Sequence, residues 1–381
     1  MALPLDTITP TERLKGILLD PTPLIGEGMI HPHIFRMPGA GGMDHPNNLA
    51  SAMASVQDFS GTGSSPGLLK GTIRVRNARS RIGAAAGSSL FTSLDGPRHF
   101  VERSGDSDVS FSVNAIKDGA KESIKVLENG YSADEEIALF NDARQSHHQK
   151  LERYCIEFFT RIAADGTSAD GLSAVGWREV TWDGSYTKLG NGTTTFVDNF
   201  RTVLEAAEKA AYGRACNVCY GSRDFLSKLA RDPSFRDLLI TGDSTKGVSV
   251  VKGDSGVIPE SLVFERFRQH FGLELKIARH ISITGVRDRT SDAVAENDLS
   301  YEWTSDRVWI GHEGPVRLTR GVNPRVIEAG GAFTMITNGL MEAGVADVGE
   351  PIADTRVFGL NSHVDLLALH PERGTIIDNI L

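Results

Sequence analysis

Ser255 stands in the run VVKGDSGVIPE, between Asp254 and Gly256, where an acyl-transfer nucleophile could sit. Such a serine works only where a histidine takes its proton and an aspartate orients that histidine. No histidine in a suitable context precedes it, so GDSG reads as an ordinary turn. Cys216 and Cys219 form a CxxC pair, which could be half of a zinc site or a redox couple. There is no second pair, and alternation along a short strand would point the two to opposite faces, so buried structural cysteines are expected. His31, His33 and His45, and the adjacent His147 and His148, have no carboxylate or cysteine at ligand spacing. Neighbouring histidines on a helix do not converge on one ion, and solvated or interface histidines are expected. GTGSSPG at Gly61–Gly67 lacks the GK[ST] that completes a phosphate-binding loop. No catalytic, cofactor-binding or metal-ligating residue is assigned.

Composition narrows the classes further. The 381 residues suffice for one large or two modest domains, and 40% hydrophobic with 23% charged residues is ordinary for a globular chain. The 40 glycines imply many turns and long loops. A formal charge of −9 argues against a chain that grips nucleic acid, since neutralising phosphates needs a surplus of Lys and Arg. It is compatible with enclosing nucleic acid, because an acidic or neutral wall lets DNA slide. Three cysteines fit a reducing cytoplasm, and no disulfide is expected. The N-terminal MALPLDTITPTERLKGILLD lacks the apolar core of a signal peptide, and no run approaches the ~20 apolar residues of a membrane span.

The elements change in character along the chain. Residues 1–45 are dense in Pro and Gly and read as an extended arm, with one short amphipathic helix around Leu14, Ile17 and Leu18. Residues 46–112 are poor in large apolar groups, with strands in GTIRVRNARSRI and DVSFSVNAI separated by a long polar stretch. They bury too little to fold alone, so a two-stranded excursion that pairs with another molecule is expected. Ser132 and Glu135 then make a capping-box pattern, and Ile137, Phe140, Leu151, Cys155, Phe158, Phe159 and Ile162 recur near helical spacing up to Gly166. The polar middle, NDARQSHHQK, buries only part of one face. Further on come a helix closed by Gly213, a strand in ACNVCYGS, a helix-turn-helix in RDFLSKLARDPSFRDLL and a helix ending at Gly272. The next run, LELKIARHISITG, alternates as one strand. The rest is β, in DRVWIGH, PVRLTR, GAFTMITN, TRVFGL, HVDLLALH and GTIIDNIL.

This order resembles the major capsid proteins of tailed double-stranded-DNA bacteriophages over essentially the whole chain, most specifically from Val203 to Gly311. The resemblance implies an α+β fold of the HK97-like phage capsid kind. Its parts are an N-terminal arm (1–45), an E-loop region (46–112), a peripheral domain with a long spine helix (113–165), an axial domain (166–312) and a closing β segment returning to the peripheral domain (313–381). It implies a structural protein, not an enzyme, that self-assembles into hexamers and pentamers of an icosahedral head in the virion, after synthesis in the host cytoplasm. Packaged DNA is enclosed without sequence-specific binding; portal, scaffold or decoration proteins are further partners, and no membrane or cofactor is involved. Arms and E-loops of such shells lie across neighbours, which makes Leu14, Ile17, Lys70, Arg74, Arg76, Arg79 and Arg81 the candidate assembly residues, the arginines pairing with carboxylates of an adjoining subunit. For any single arginine a solvated position on an exposed hairpin is equally compatible. Lys70 has no matching Asn and Glu in a motif, so no autocatalytic crosslink is expected. Two other readings remain: an encapsulin-type nanocompartment of the same fold, and a cytoplasmic hydrolase using Ser255, which would lose turnover in Ser255→Ala.

Overall fold

A computed structural model describes residues 56–58, 70–76, 106–123, 133–183 together with 186, 188, 189, 196–232, 235, 260–278, 281–283, 299–314, 317–319, 325–329, 331–337, 342–346 and 355–381. In chain order the elements begin with β1 (Val56–Asp58), β2 (Lys70–Arg76), β3 (Asp106–Ser112), β4 (Asn114–Ser123), α1 (Ala133–Thr160) and β5 (Arg178–Thr181). Next come α2 (Phe196–Ala210), β6 (Val218–Ser222), α3 (Arg223–Leu229), α4 (Glu260–Phe271), β7 (Glu274–Ala278), β8 (Ile281–Ile283) and β9 (Leu299–Tyr301). The chain closes with β10 (Val308–Gly311), β11 (Arg317–Thr319), β12 (Arg325–Ala329), β13 (Phe333–Thr337), β14 (Glu342–Ala346), β15 (Thr355–Ala368) and β16 (Gly374–Asp378). The helices and mixed sheets make an α+β chain, divided into two compact units.

The first unit draws on residues within Met1–Leu69, Ser112–Cys155 and Met335–Asp365. Its spine is β15, antiparallel to β4 from Thr355↔Ser123 to Val364↔Asn114 and to β14 from Glu342↔Asn361 to Ala346↔Val357. TRVFGL and HVDLLALH, read as separate strands, are thus one 14-residue strand. The interruption in the pattern is Gly359, which stands opposite Gly119 on one side and Gly344 on the other. Glycine weakens a strand in isolation, and pairing on both sides holds this one extended. Helix α1 follows the expected apolar spacing, with Leu151 and Cys155, one turn apart, both buried.

The second unit draws on Lys70–Phe111, Ile156–Thr334 and Leu366–Leu381. A five-stranded sheet in the order β5-β16-β10-β6-β7 runs through it, and every residue of β6 and β10 is buried. Strands covered on both faces must alternate between two cores. On one face Cys219, Leu275, Val308, Ile310 and Ile377 join Phe200 of α2, Phe225 of α3 and Phe267 of α4 in one cluster. On the other face Tyr220 and Trp309 meet Phe158 and Phe159 at the end of α1, with Trp177 and Phe333. The Phe159 ring centroid lies 4.8–5.1 Å from those of Phe158, Tyr220, Trp309 and Phe333. Edge-on and tilted packing of this kind adds about 0.5–1.5 kcal/mol per pair beyond burial.

Two expectations change here. LELKIARHISITG is split: β7 runs parallel to β6, whereas β8 pairs antiparallel with β9 in a separate sheet. An unbroken polar-apolar alternation carries no mark of where a chain leaves one sheet for another. The closing segment 313–381 does not stay together either. Its last strand, β16, lies between β5 and β10 in the second unit's sheet. The run GTIID has four consecutive buried residues, the pattern of a central strand.

Candidate assembly surface

Strand β2 carries three of the candidate interface residues. Ile73 and Val75 are 1% exposed, while Arg74 points to the opposite face and Lys70 is exposed at the strand's start. Period-two alternation places the apolar and basic residues on opposite sides. The Arg74 Nε donates to Asp108 Oδ1 of β3 at 3.0 Å, with both side chains largely in solvent, so the pair contributes at most about 1 kcal/mol. Arg76 is the last residue of β2, and Leu14, Ile17, Arg79 and Arg81 lie outside the described residues. Phe111 of β3 packs over Gly71, where an added Cβ would come within 2.7 Å of the ring.

The sheet order β11-β12-β2-β3 corrects the expectation that this excursion finds its partner only on another molecule. Within the same chain β2 runs parallel to β12, with Arg325↔Ile73, Val326↔Arg74 and Ile327↔Val75. Arg74 likewise has its carboxylate, Asp108, in its own chain. The missed signal is RVIEA, a short apolar run between Pro324 and Gly330 that gives Ile73 and Val75 a strand to lie beside.

The histidine and cysteine expectations also shift. His147 is not solvated but fully buried, with Nδ1 3.3 Å from Asp118 Oδ2 and Nε2 2.7 Å from Ser362 Oγ. Cys216 and Cys219 are buried as expected, yet both join one core cluster instead of facing apart. Cys216 precedes β6, which begins at Val218, so strand alternation does not relate them. Burial pushes the Cys216 thiol up to about 12, Glu208 adding to it, and burial raises Cys155 and Cys219 well above the ordinary value. Thiols held protonated in this way are poor nucleophiles and poor ligands. Burial lowers the pKa of His312, and that of His370 despite its hydrogen bond to Glu372. The runs around Ser255 and Gly61–Gly67, and His31, His33 and His45, lie outside the described residues. Among the described residues no His, Cys, Asp and Glu cluster could hold a metal ion, and no helix is long and apolar enough to cross a membrane.

No family model and no curated protein matches the chain. Solved structures do. A phage-related protein from Bordetella bronchiseptica matches at 15% identity and TM-score 0.46, covering 71% of this chain and 77% of that one. The capsid of a native GTA particle matches at 11% identity and TM-score 0.46, over 87% of this chain and 89% of that one. A virus-like particle from Pyrococcus furiosus matches at 9% identity and TM-score 0.43, over 87% and 92%. Further matches are phage capsids. Capsid structures are thus among the structures to which this chain is similar.

Proposed function

We propose that the chain is a shell-forming protomer, the major capsid protein of a tailed double-stranded-DNA phage, and that its function is structural and not catalytic. The observation that carries the reading is the order of elements. A β ribbon (β2, β3) precedes the long helix α1, an α/β sheet with helices α2 to α4 follows, and long strand β15 and inserted strand β16 close the chain. That order of the described elements agrees with the one the capsid resemblance implies. Residues 1–45 serve as the arm and 46–112 as the E-loop region, and Leu14, Ile17, Lys70, Arg74, Arg76, Arg79 and Arg81 lie at contacts between protomers. The ribbon's apolar face is buried within its own chain, so the face that carries Lys70 and Arg74 is the one that meets a neighbour. Hexamers and pentamers of the protein enclose DNA without reading its sequence, in keeping with the net charge of −9. Portal, scaffold or decoration proteins complete the head, and before assembly the protomer resides in the host cytoplasm.

Electron microscopy of the purified protein tests the reading. Closed particles built from six- and five-membered rings are expected. A protein that stays monomeric across concentration and ionic strength, with or without co-expressed neighbouring phage proteins, overturns it.

A further inference from the structure

Helix α2 turns a buried face toward the sheet, with Phe200, Val203, Leu204 and Ala207 inward, and carries charge on the opposite side. Asp198, Arg201, Thr202, Glu205 and Lys209 are all exposed, and at the helical repeat they fall on one stripe that Tyr212 extends past the helix end. Arg201 and Glu205, and Glu205 and Lys209, stand at the i, i+4 spacing at which opposite charges pair. Neither pair forms, and no ion pair joins Asp198, Arg201, Glu205 or Lys209 to any other described residue. Tyr212 is the one exposed large hydrophobic among the described residues, at 40%. Its φ of 56° lies in the left-handed region, where the following Gly213, at φ 76°, sits without strain and a residue with a Cβ does not. The Tyr212 ring packs on no other ring, and its hydroxyl has no partner among the described residues. A strained, unpartnered aromatic of this kind marks a contact made outside the chain.

We infer that this stripe is a contact between copies, in which α2 lies antiparallel to α2 of a second copy across a two-fold axis. The order of charge carries it. Asp198 precedes Val203 by five residues and Lys209 follows Leu204 by five, while Arg201 and Glu205 lie two residues either side of Val203. A two-fold axis at that centre sets Asp198 against Lys209 of the second copy and Arg201 against Glu205 of the second copy. An isologous contact makes each pairing twice. A parallel two-fold arrangement would set each charge against its own kind. Every copy carries a net charge of −9, so two copies repel except where opposite charges are arranged to meet, as they are here. Tyr212 then lies against the start of the second copy's α2, where the first helical amides have no partner within their own helix. Exposed ion pairs are individually weak, so the contact orients copies and gains strength where other contacts already bring them together. It does not depend on whether the copies close into shells.

Chemical capture tests the contact in the full-length protein. Thr202 lies on the stripe beside the axis, and Thr202→Cys places a thiol where its counterpart on the second copy is within reach of a short bis-maleimide. Cys155, Cys216 and Cys219 are buried with raised thiol values, so the unaltered protein is the blank. A dimer joined through residue 202 is expected on a denaturing gel and by peptide mass, falling as salt is raised. Adding Asp198→Lys, which sets like charges together, should lower capture about tenfold, and Asp198→Lys with Lys209→Asp should restore it. Each chain is expected to keep the circular dichroism spectrum of the unaltered protein, because the substituted positions are exposed. Should Thr202→Cys fail to fold, Glu205→Cys, across the centre, carries the thiol instead. Absence of capture in a folded chain, or capture indifferent to charge reversal, overturns the inference. Closed particles seen by electron microscopy without capture leave the shell reading standing and remove this contact from it.

Discussion

Arg307 ties three stretches of the second unit together through one guanidinium. Its Nε donates to Asp378 of β16 at 2.8 Å, its Nη1 to the Thr160 carbonyl at the end of α1 at 3.0 Å, and its Nη2 to Asp165 at 2.9 Å. The carbonyls at a helix end lack intrahelical partners, so a cation there satisfies one of them and complements the helix dipole. Asp165 responds accordingly. The hydrogen bond from Arg307 outweighs partial burial and holds its carboxyl below the ordinary value. A carboxylate depressed in the fold contributes stability above its unfolded pKa, and that contribution is lost as pH falls through the folded one. Thermal midpoints measured from about pH 6 to about pH 3 should therefore drop with acid, and Asp165→Asn should flatten part of the drop below about pH 4. A variant with the unaltered acid profile would mean that the contact adds nothing. Glu372, also depressed, gives the same sign and accounts for part of the remaining slope.

At the scale of elements, β16 matters most to the second unit, because a strand from the chain's end fills a place between β5 and β10. Its first residue shows how closely it fits. Gly374 pairs with Gly311, and a Cβ on Gly374 would come within 2.5 Å of the Trp177 ring, while one on Gly311 would meet the Arg373 carbonyl at 2.8 Å. The two glycines form a slot in which Trp177 and Trp309 lie 5.4 Å apart. Gly374→Val should destabilise the protein by about 1–3 kcal/mol through overpacking, read as a lower thermal midpoint. An unchanged midpoint would show room beneath the indoles. These elements differ in how far the sequence reveals them. Helices α1, α2 and α4 were legible, because apolar spacing and the stops at Gly213 and Gly272, both with left-handed φ, are local signals. Sheet membership was not. Nothing local to ELKIA and ISI tells that they lie in different sheets, and nothing in RVIEA announces β2 as its partner. His147 was missed for the same reason: its burial depends on Asp118 and Ser362, which are 29 and 215 residues away by sequence number.

For the whole molecule, the question is which residues fold for themselves and which fold for a neighbour. Every strand of the β5-β16-β10-β6-β7 sheet, and the three helices on its apolar face, lie at or beyond Arg178. The aromatic layer on the other face begins at Phe158. Among the described residues both cores are made from positions at or beyond Phe158, and the first 40 residues, dense in Pro and Gly, are expected to form an extended arm. Deleting residues 1–40 should therefore leave circular dichroism and the main unfolding transition nearly intact while assembly is abolished or misdirected. Electron microscopy of the truncated protein beside the full-length one separates the outcomes. Regular closed particles of unchanged size would remove the arm from the assembly scheme. A truncated chain that fails to fold would contradict the independence of the sheet and its two cores. Loss of particles from a chain that still melts cooperatively is the result that assigns those residues to contacts between copies.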